Sequence, residues 1–137
     1  MLRLHRHVYL QMIGDCYEKL PNEACGLVAG PAPQDGLASA HLCYPITNAA
    51  ASSRVYELDP KGHLRADRDA EDRGLQLIGV YHSHTHTVAY PSPTDVASAP
   101  DPEWHYILVS MADEAPVVRS YRIVGGNITE EPVVVLN

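Results

Sequence analysis

The sequence predicts a mixed α/β fold in a single domain spanning residues 1–137. Three observations lead there. The segment from Tyr9 to Leu20 carries a helical stripe of apolar residues. Several short runs rich in Val, Ile and Tyr read as strands. Helical and strand patterns do not alternate one for one, so a mixed sheet is expected rather than a parallel βαβ stack.

In chain order, Leu2 and Leu4 alternate with Arg3 and His5, a short strand signal. Tyr9, Met12, Ile13, Cys16, Tyr17 and Leu20 then form one face of an amphipathic helix. Pro21 ends it, because the residue before a proline avoids the α region. "ACGLVAG" reads as a buried strand closed by Gly30 and Pro31, and "PAPQDG" as a turn. "SAHLCYPITN" and "SRVYELD" predict two more strands. Residues 60–73 are polar and start on a proline. They predict a surface helix whose Leu64 and Ala70 offer little to bury.

"LQLIGVYHS" is the most strand-like run. "PSPTDVASA" begins a helix, with Ser92 as N-cap, Pro93 at the first helical position and Asp95 in the first turn. "WHYILVS", "VVRSYRIV" and "ITEEPVVVL" complete the strands, the last two joined by the hairpin turn "GGN".

Composition narrows the function classes. The formal charge is −7 and the ten Lys and Arg are scattered, so no cationic face for nucleic acid is expected. No apolar run approaches the ~18–20 residues of a membrane span, and the first residues lack a signal-peptide core. A soluble cytoplasmic protein with no membrane partner is the expectation. Cys16, Cys25 and Cys43 are odd in number and form no C-x-x-C, so they read as small buried hydrophobes.

The chemistry concentrates in "GVYHSHTHTVAYPSPTD". Side chains alternate faces along a strand, so His82 and His84 point the same way with Cβ atoms ~6.5–7 Å apart. Two imidazoles at that separation can converge on one ion at ~2.0–2.1 Å. The turn through Pro91 and Pro93 brings Asp95 back as a third ligand. Two His and one carboxylate with a fourth position open to water is a catalytic zinc pattern. A lone H-x-H is more often incidental, and His5 with His7 is read that way, as a surface pair. The second H-x-H differs in context: an apolar strand leads in and a capped helix bearing an acid leads out. Ser92 keeps two readings, a helix N-cap and a hydroxyl donor at a cleft.

His82-Ser83-His84, seven residues, Ser92, two residues and Asp95 resemble the metal motif of the JAMM (MPN-plus, Mov34/JAB1-type) zinc metalloproteases. That family also requires an upstream glutamate at a strand edge, and "NEACGLVAG" supplies Glu23. The segments "HYILVS", "RSYRI" and "TEEPV" are similar to those of its small bacterial members, which act on ubiquitin-like sulfur-carrier proteins and free cysteine from them.

The resemblance implies an α-β-α, cytidine deaminase-like JAB/MPN domain. It implies Zn²⁺ held by His82, His84 and Asp95, with Glu23 as general base and Ser92 as oxyanion donor. The implied partner is a sulfur carrier ending in Gly-Gly, the implied outcome cysteine biosynthesis, and homodimers occur in the family. The family pattern uses only two of the three alternating histidines. His86 is therefore read as a loop residue at the cleft, a candidate substrate contact. The competing reading is a non-catalytic MPN-type scaffold for a ubiquitin-like partner, against which the complete motif argues. A zinc deaminase is disfavoured by the missing P-C-x-x-C pair.

Overall fold

The computed structural model describes residues 1–137. Its elements run β1 (Leu2–Leu4), α1 (Arg6–Lys19), β2 (Cys25–Gly30), β3 (Ala38–Ala40), β4 (Leu42–Ile46), α2 (Pro60–Asp72) and β5 (Gln76–His84). They continue with α3 (Pro93–Ala97), β6 (His105–Ser110), β7 (Val117–Val124), β8 (Asn127–Glu131) and β9 (Val133–Val135). Six strands form the main sheet in the order β4-β2-β5-β6-β7-β8, and β3-β1-β9 form a small second sheet. Only β5 and β6 run parallel in the main sheet. No helix is long and apolar enough to cross a membrane.

The main sheet has a core on each face, as strand alternation requires. On one side α1 lays Val8, Met12 and Cys16 against Val28, Ile78, Tyr81 and Ile107, with Leu2 and Leu4 of the small sheet. On the other, α2 lays Ala66 and Ala70 against Leu27, Ala29, Leu77 and Val80. This is the expected α-β-α arrangement. Burying side chains of this kind contributes roughly 1.5–3 kcal/mol for each large apolar group.

Several expectations shift in detail. The buried stripe of α1 is Val8, Met12, Asp15 and Cys16, while Tyr17 and Leu20 stay exposed. Asp15 is buried because it accepts hydrogen bonds from Tyr81 Oη at 2.7 Å and Lys19 Nζ at 2.7 Å. Helix α2 does pack on the sheet; its small alanines allow a close approach while Leu64 faces solvent. "SAHLCYPITN" is divided at His41 into β3 and β4, which belong to different sheets. "ITEEPVVVL" is likewise divided, at Pro132, which has no N–H to continue a ladder.

"SRVYELD" is a loop rather than a strand. The Asn48 side chain takes up backbone groups that a strand would have paired. Its Nδ2 donates to Val55 O at 3.1 Å and its Oδ1 accepts from Glu57 N at 2.9 Å.

A slip in the β2–β5 ladder sets the phase of the later residues. Val28 pairs with Gly79 but Ala29 pairs with Leu77, leaving Ile78 unpaired. Gly79 lies so close to the backbone carbonyl of His105 that a side chain there would clash. Beyond the slip, alternation places Tyr81 and Ser83 toward α1, and Val80, His82 and His84 toward the other face.

Candidate metal centre

His82 and His84 end β5, at the carboxyl edge of the sheet where the chain leaves for α3. Clefts at the carboxyl ends of parallel strands are common ligand sites in α/β sheets. Their Nε2 atoms face each other at 3.2 Å. Asp95 closes the group, with Oδ1 3.2 Å from His82 Nε2 and Oδ2 2.9 Å from His84 Nε2. Donor atoms around a tetrahedral zinc with ~2.0–2.1 Å bonds stand roughly 3.3 Å apart. The three donors therefore already form the base of such a site, and they are the cluster whose ligand atoms lie within 4.8 Å of one another.

The protonation chemistry fits a cation too. His84 Nδ1 lies 2.9 Å from the Val88 carbonyl, which can only accept, so Nδ1 carries the proton and Nε2 presents its lone pair. Burial lowers the pKa of His82, despite hydrogen bonding to Asp95, and so favours its neutral ligand form. The Tyr56 ring stacks on His82 at 4.2 Å between centroids and shields it from water.

Asp95 is delivered by its own helix start. Ser92 has extended backbone angles (φ −75°, ψ 164°) and caps α3, with its Oγ accepting from Asp95 N at 3.0 Å. The Ser92 N–H in turn donates to Asp95 Oδ2 at 2.9 Å. This capping box holds the carboxylate on the first helical turn, facing the histidines. Burial alone would raise the pKa of Asp95, but the His82 and His84 imidazoles set against its carboxylate carry it well below the usual carboxylate range. The Ser92 oxygen is a cap acceptor, and the residue lies on the wall of a cleft.

Glu23 arrives through sheet register. Cys25 pairs with His82 in the antiparallel β2–β5 ladder. Ser83 N donates to Ala24 O at 3.0 Å, and Ser83 Oγ accepts from Ala24 N at 2.8 Å. One further step sets Glu23 opposite His84, on the same face. Nothing in its own sequence surroundings marks Glu23, since this neighbour is 61 positions away. Glu23 is 4% exposed, and its Oε1 has no hydrogen-bond partner. Burial pushes its carboxyl up to about 7, with His84 lowering it and Asp95 raising it. An unpaired buried carboxylate oxygen is costly, roughly 1–3 kcal/mol or more, and marks a site built for an incoming group.

These residues open on a polar cleft of about 380 Å³ lined by Glu23, Ser53, Arg54, His84, His86 and Ser92, among others. His86 is exposed at its edge and is not one of the clustered donors. Beyond Tyr56 lies a second, apolar pocket of about 280 Å³, walled by Leu58, Val80, Trp104 and Tyr106. Sequence reasoning missed the loop from Ser52 to Leu58, which contributes Tyr56 and Arg54. Its strand-like alternation hid it.

Residues 5–124 match the model of the prokaryotic homologs of the JAB domain. The chain belongs to this family. Among curated JAB-domain relatives, the CysO-cysteine peptidase of Mycobacterium tuberculosis is 46% identical over 123 residues, covering 89% of this chain and 82% of the relative. The desampylase of Haloferax volcanii is 37% identical over 91 residues, covering 66% and 63%. A solution structure from Desulfitobacterium hafniense superposes with a TM-score of 0.91 at 31% identity, covering 99% of this chain and 93% of that one. This JAB-domain chain is a peptidase, a hydrolase of the metal-dependent kind typical of the family.

Proposed function

We propose that this chain is a zinc peptidase that hydrolyses the bond after the C-terminal glycine of a ubiquitin-like sulfur-carrier protein and releases cysteine. One observation carries the reading. An unpaired, buried Glu23 carboxylate stands beside the His82–His84–Asp95 cluster in a chain 46% identical to a CysO-cysteine peptidase. His82, His84 and Asp95 would hold the metal. Zn²⁺ held there supplies Lewis acidity, lowering the pKa of water to about 7 and polarising a carbonyl.

The chain's own residues do the rest. Glu23 accepts the proton of the attacking water and passes it to the leaving amine. Water adds across the C–N bond, leaving a glycine carboxylate on the carrier and a free amino group on cysteine. The Ser92 hydroxyl donates to the oxygen of the scissile carbonyl as charge develops on it. Val88 O and the capping box fix His84 and Asp95, so little reorganisation is needed. The apolar pocket beyond Tyr56 offers an apolar wall to an extended carrier tail.

The test uses a carrier protein whose C-terminal glycine is amide-linked to cysteine. With zinc-loaded protein, intact mass should fall to that of the free carrier, and a chelator should stop the reaction. An adduct left intact by zinc-loaded protein would overturn the proposal. Tight carrier binding without cleavage would instead favour the scaffold reading. That reading leaves the cost of burying Glu23 unexplained.

A further inference from the structure

We propose that Arg54 anchors the α-carboxylate of the leaving amino acid, and so selects a free amino acid over a protein side chain as leaving group. This deepens the carrier–cysteine reading above and rests on it.

Arg54 is the single Lys or Arg lining the polar cleft. Three other side-chain cations form ion pairs: Lys19 with Asp15, Arg73 with Asp69, Arg119 with Glu130. Arg54 forms no such ion pair; only its backbone N–H is bonded, to Ser52 Oγ at 3.0 Å. Its loop is nevertheless held on both sides of the cleft. Ser52 O accepts from Glu23 N at 2.8 Å, and Ser53 O accepts from Thr85 Oγ1 at 3.1 Å. Asn48 Nδ2 adds a bond to Glu23 O at 3.1 Å and ties Val55 to the same side chain. The backbone that carries Arg54 is therefore fixed relative to Glu23.

The cleft thus presents a guanidinium and a carboxylate that do not pair with each other, since Glu23 Oε1 has no partner. An α-amino acid is the complementary ligand. Its nitrogen and its carboxylate sit on one carbon, so a nitrogen beside Glu23 puts the carboxylate on the Arg54 side. Arginine suits that role, because its fork matches a carboxylate in two parallel hydrogen bonds. A lysine side chain joined through its ε-nitrogen carries no anion at that distance and gains nothing from Arg54. In a chain of net charge −7, a lone cation in the cleft also offsets the field that would repel an anionic leaving group.

The experiment compares two adducts of the same carrier, one ending in cysteine and one in cysteinamide, which lacks only the carboxylate. Wild type should favour the acid by about 10- to 100-fold in kcat/KM, the range of a charge-assisted hydrogen bond. Arg54→Ala should bring that ratio close to one, and Arg54→Glu should invert it. Arg54 is exposed, so neither change disturbs the core. Binding of the two adducts to a Glu23→Gln background should show the same preference without turnover. Equal hydrolysis of both adducts by wild type, or an unchanged ratio in Arg54→Ala, overturns the anchor and leaves the peptidase proposal standing. Hydrolysis of neither adduct by wild type overturns that proposal and the anchor with it.

Discussion

Ser92 and Asp95 hold each other in place: the hydroxyl of Ser92 accepts from Asp95 N at 3.0 Å, and the N–H of Ser92 donates to Asp95 Oδ2 at 2.9 Å. Asp95 Oδ2 is also 2.9 Å from His84 Nε2. One helix cap therefore orients the carboxylate that closes the His82–His84–Asp95 cluster.

Ser92→Ala should act on both functions. Losing the cap costs about 1 kcal/mol of stability. Loosening Asp95 should weaken zinc binding roughly 10-fold, and loss of the hydroxyl donor should lower kcat by about 100-fold. Zinc titration with a chromophoric chelator separates the metal effect from the rate effect. Full activity at saturating zinc would remove Ser92 from the chemistry and leave it as a cap alone.

Glu23→Gln keeps the shape of the residue but cannot accept a proton. Hydrolysis of the carrier–cysteine adduct should slow by ~10²–10⁴-fold. Zinc content should not change, because Glu23 is not among the clustered donors. A mutant as fast as wild type would exclude Glu23 as the base.

Chelation should leave the chain folded. Both apolar cores close without the His82–His84–Asp95 cluster. Zinc should raise the melting temperature by mass action, worth about 2.7 kcal/mol at a hundred times Kd. Circular dichroism of the metal-free protein is the check, and an unfolded spectrum would assign the metal a structural role.

Acid stability should depend on Glu131. Burial alone would raise its carboxyl pKa. His105 Nδ1 at 2.6 Å and Ser120 Oγ at 2.8 Å outweigh this and bring it down to about 2. A depressed carboxyl stabilises the fold fully above its unfolded pKa of ~4.3. That contribution fades as pH falls from there toward about 2. Glu131→Gln should thus melt well below wild type at pH ~6, with the gap narrowing steadily as pH falls toward about 2. A constant gap across that range would contradict the linkage.

Asn48→Ala should loosen the cleft wall from a distance. Asn48 bonds Glu23 O, Val55 O, Ala50 N and Glu57 N through one side chain. The loss should cost about 2 kcal/mol in denaturant melts. It should also raise KM for the cysteine adduct more than for the cysteinamide, since Arg54 loses its fixed seat.

Local physics made part of this protein legible in its sequence. Period-two alternation put His82 and His84 on one face, and they stay there in the fold because β5 is continuous through both. Ser92 and Pro93 announced the start of α3, and Gly125 and Gly126, both at positive φ, the last hairpin. These features depend on neighbours a few positions away. Tertiary structure decided what depends on distant partners. The β2–β5 register brought Glu23 to His84. Asn48 captured the backbone of residues 53–59 and turned an apparent strand into the loop that carries Tyr56 and Arg54. The buried face of α1 rotated to give Asp15 to Tyr81, because a buried hydroxyl and carboxylate satisfy each other where two apolar groups would leave both unpaired. Hydrogen-bond partners are found across the fold, whereas periodicity reads only along the chain, and the placement of Glu23 lies in that difference.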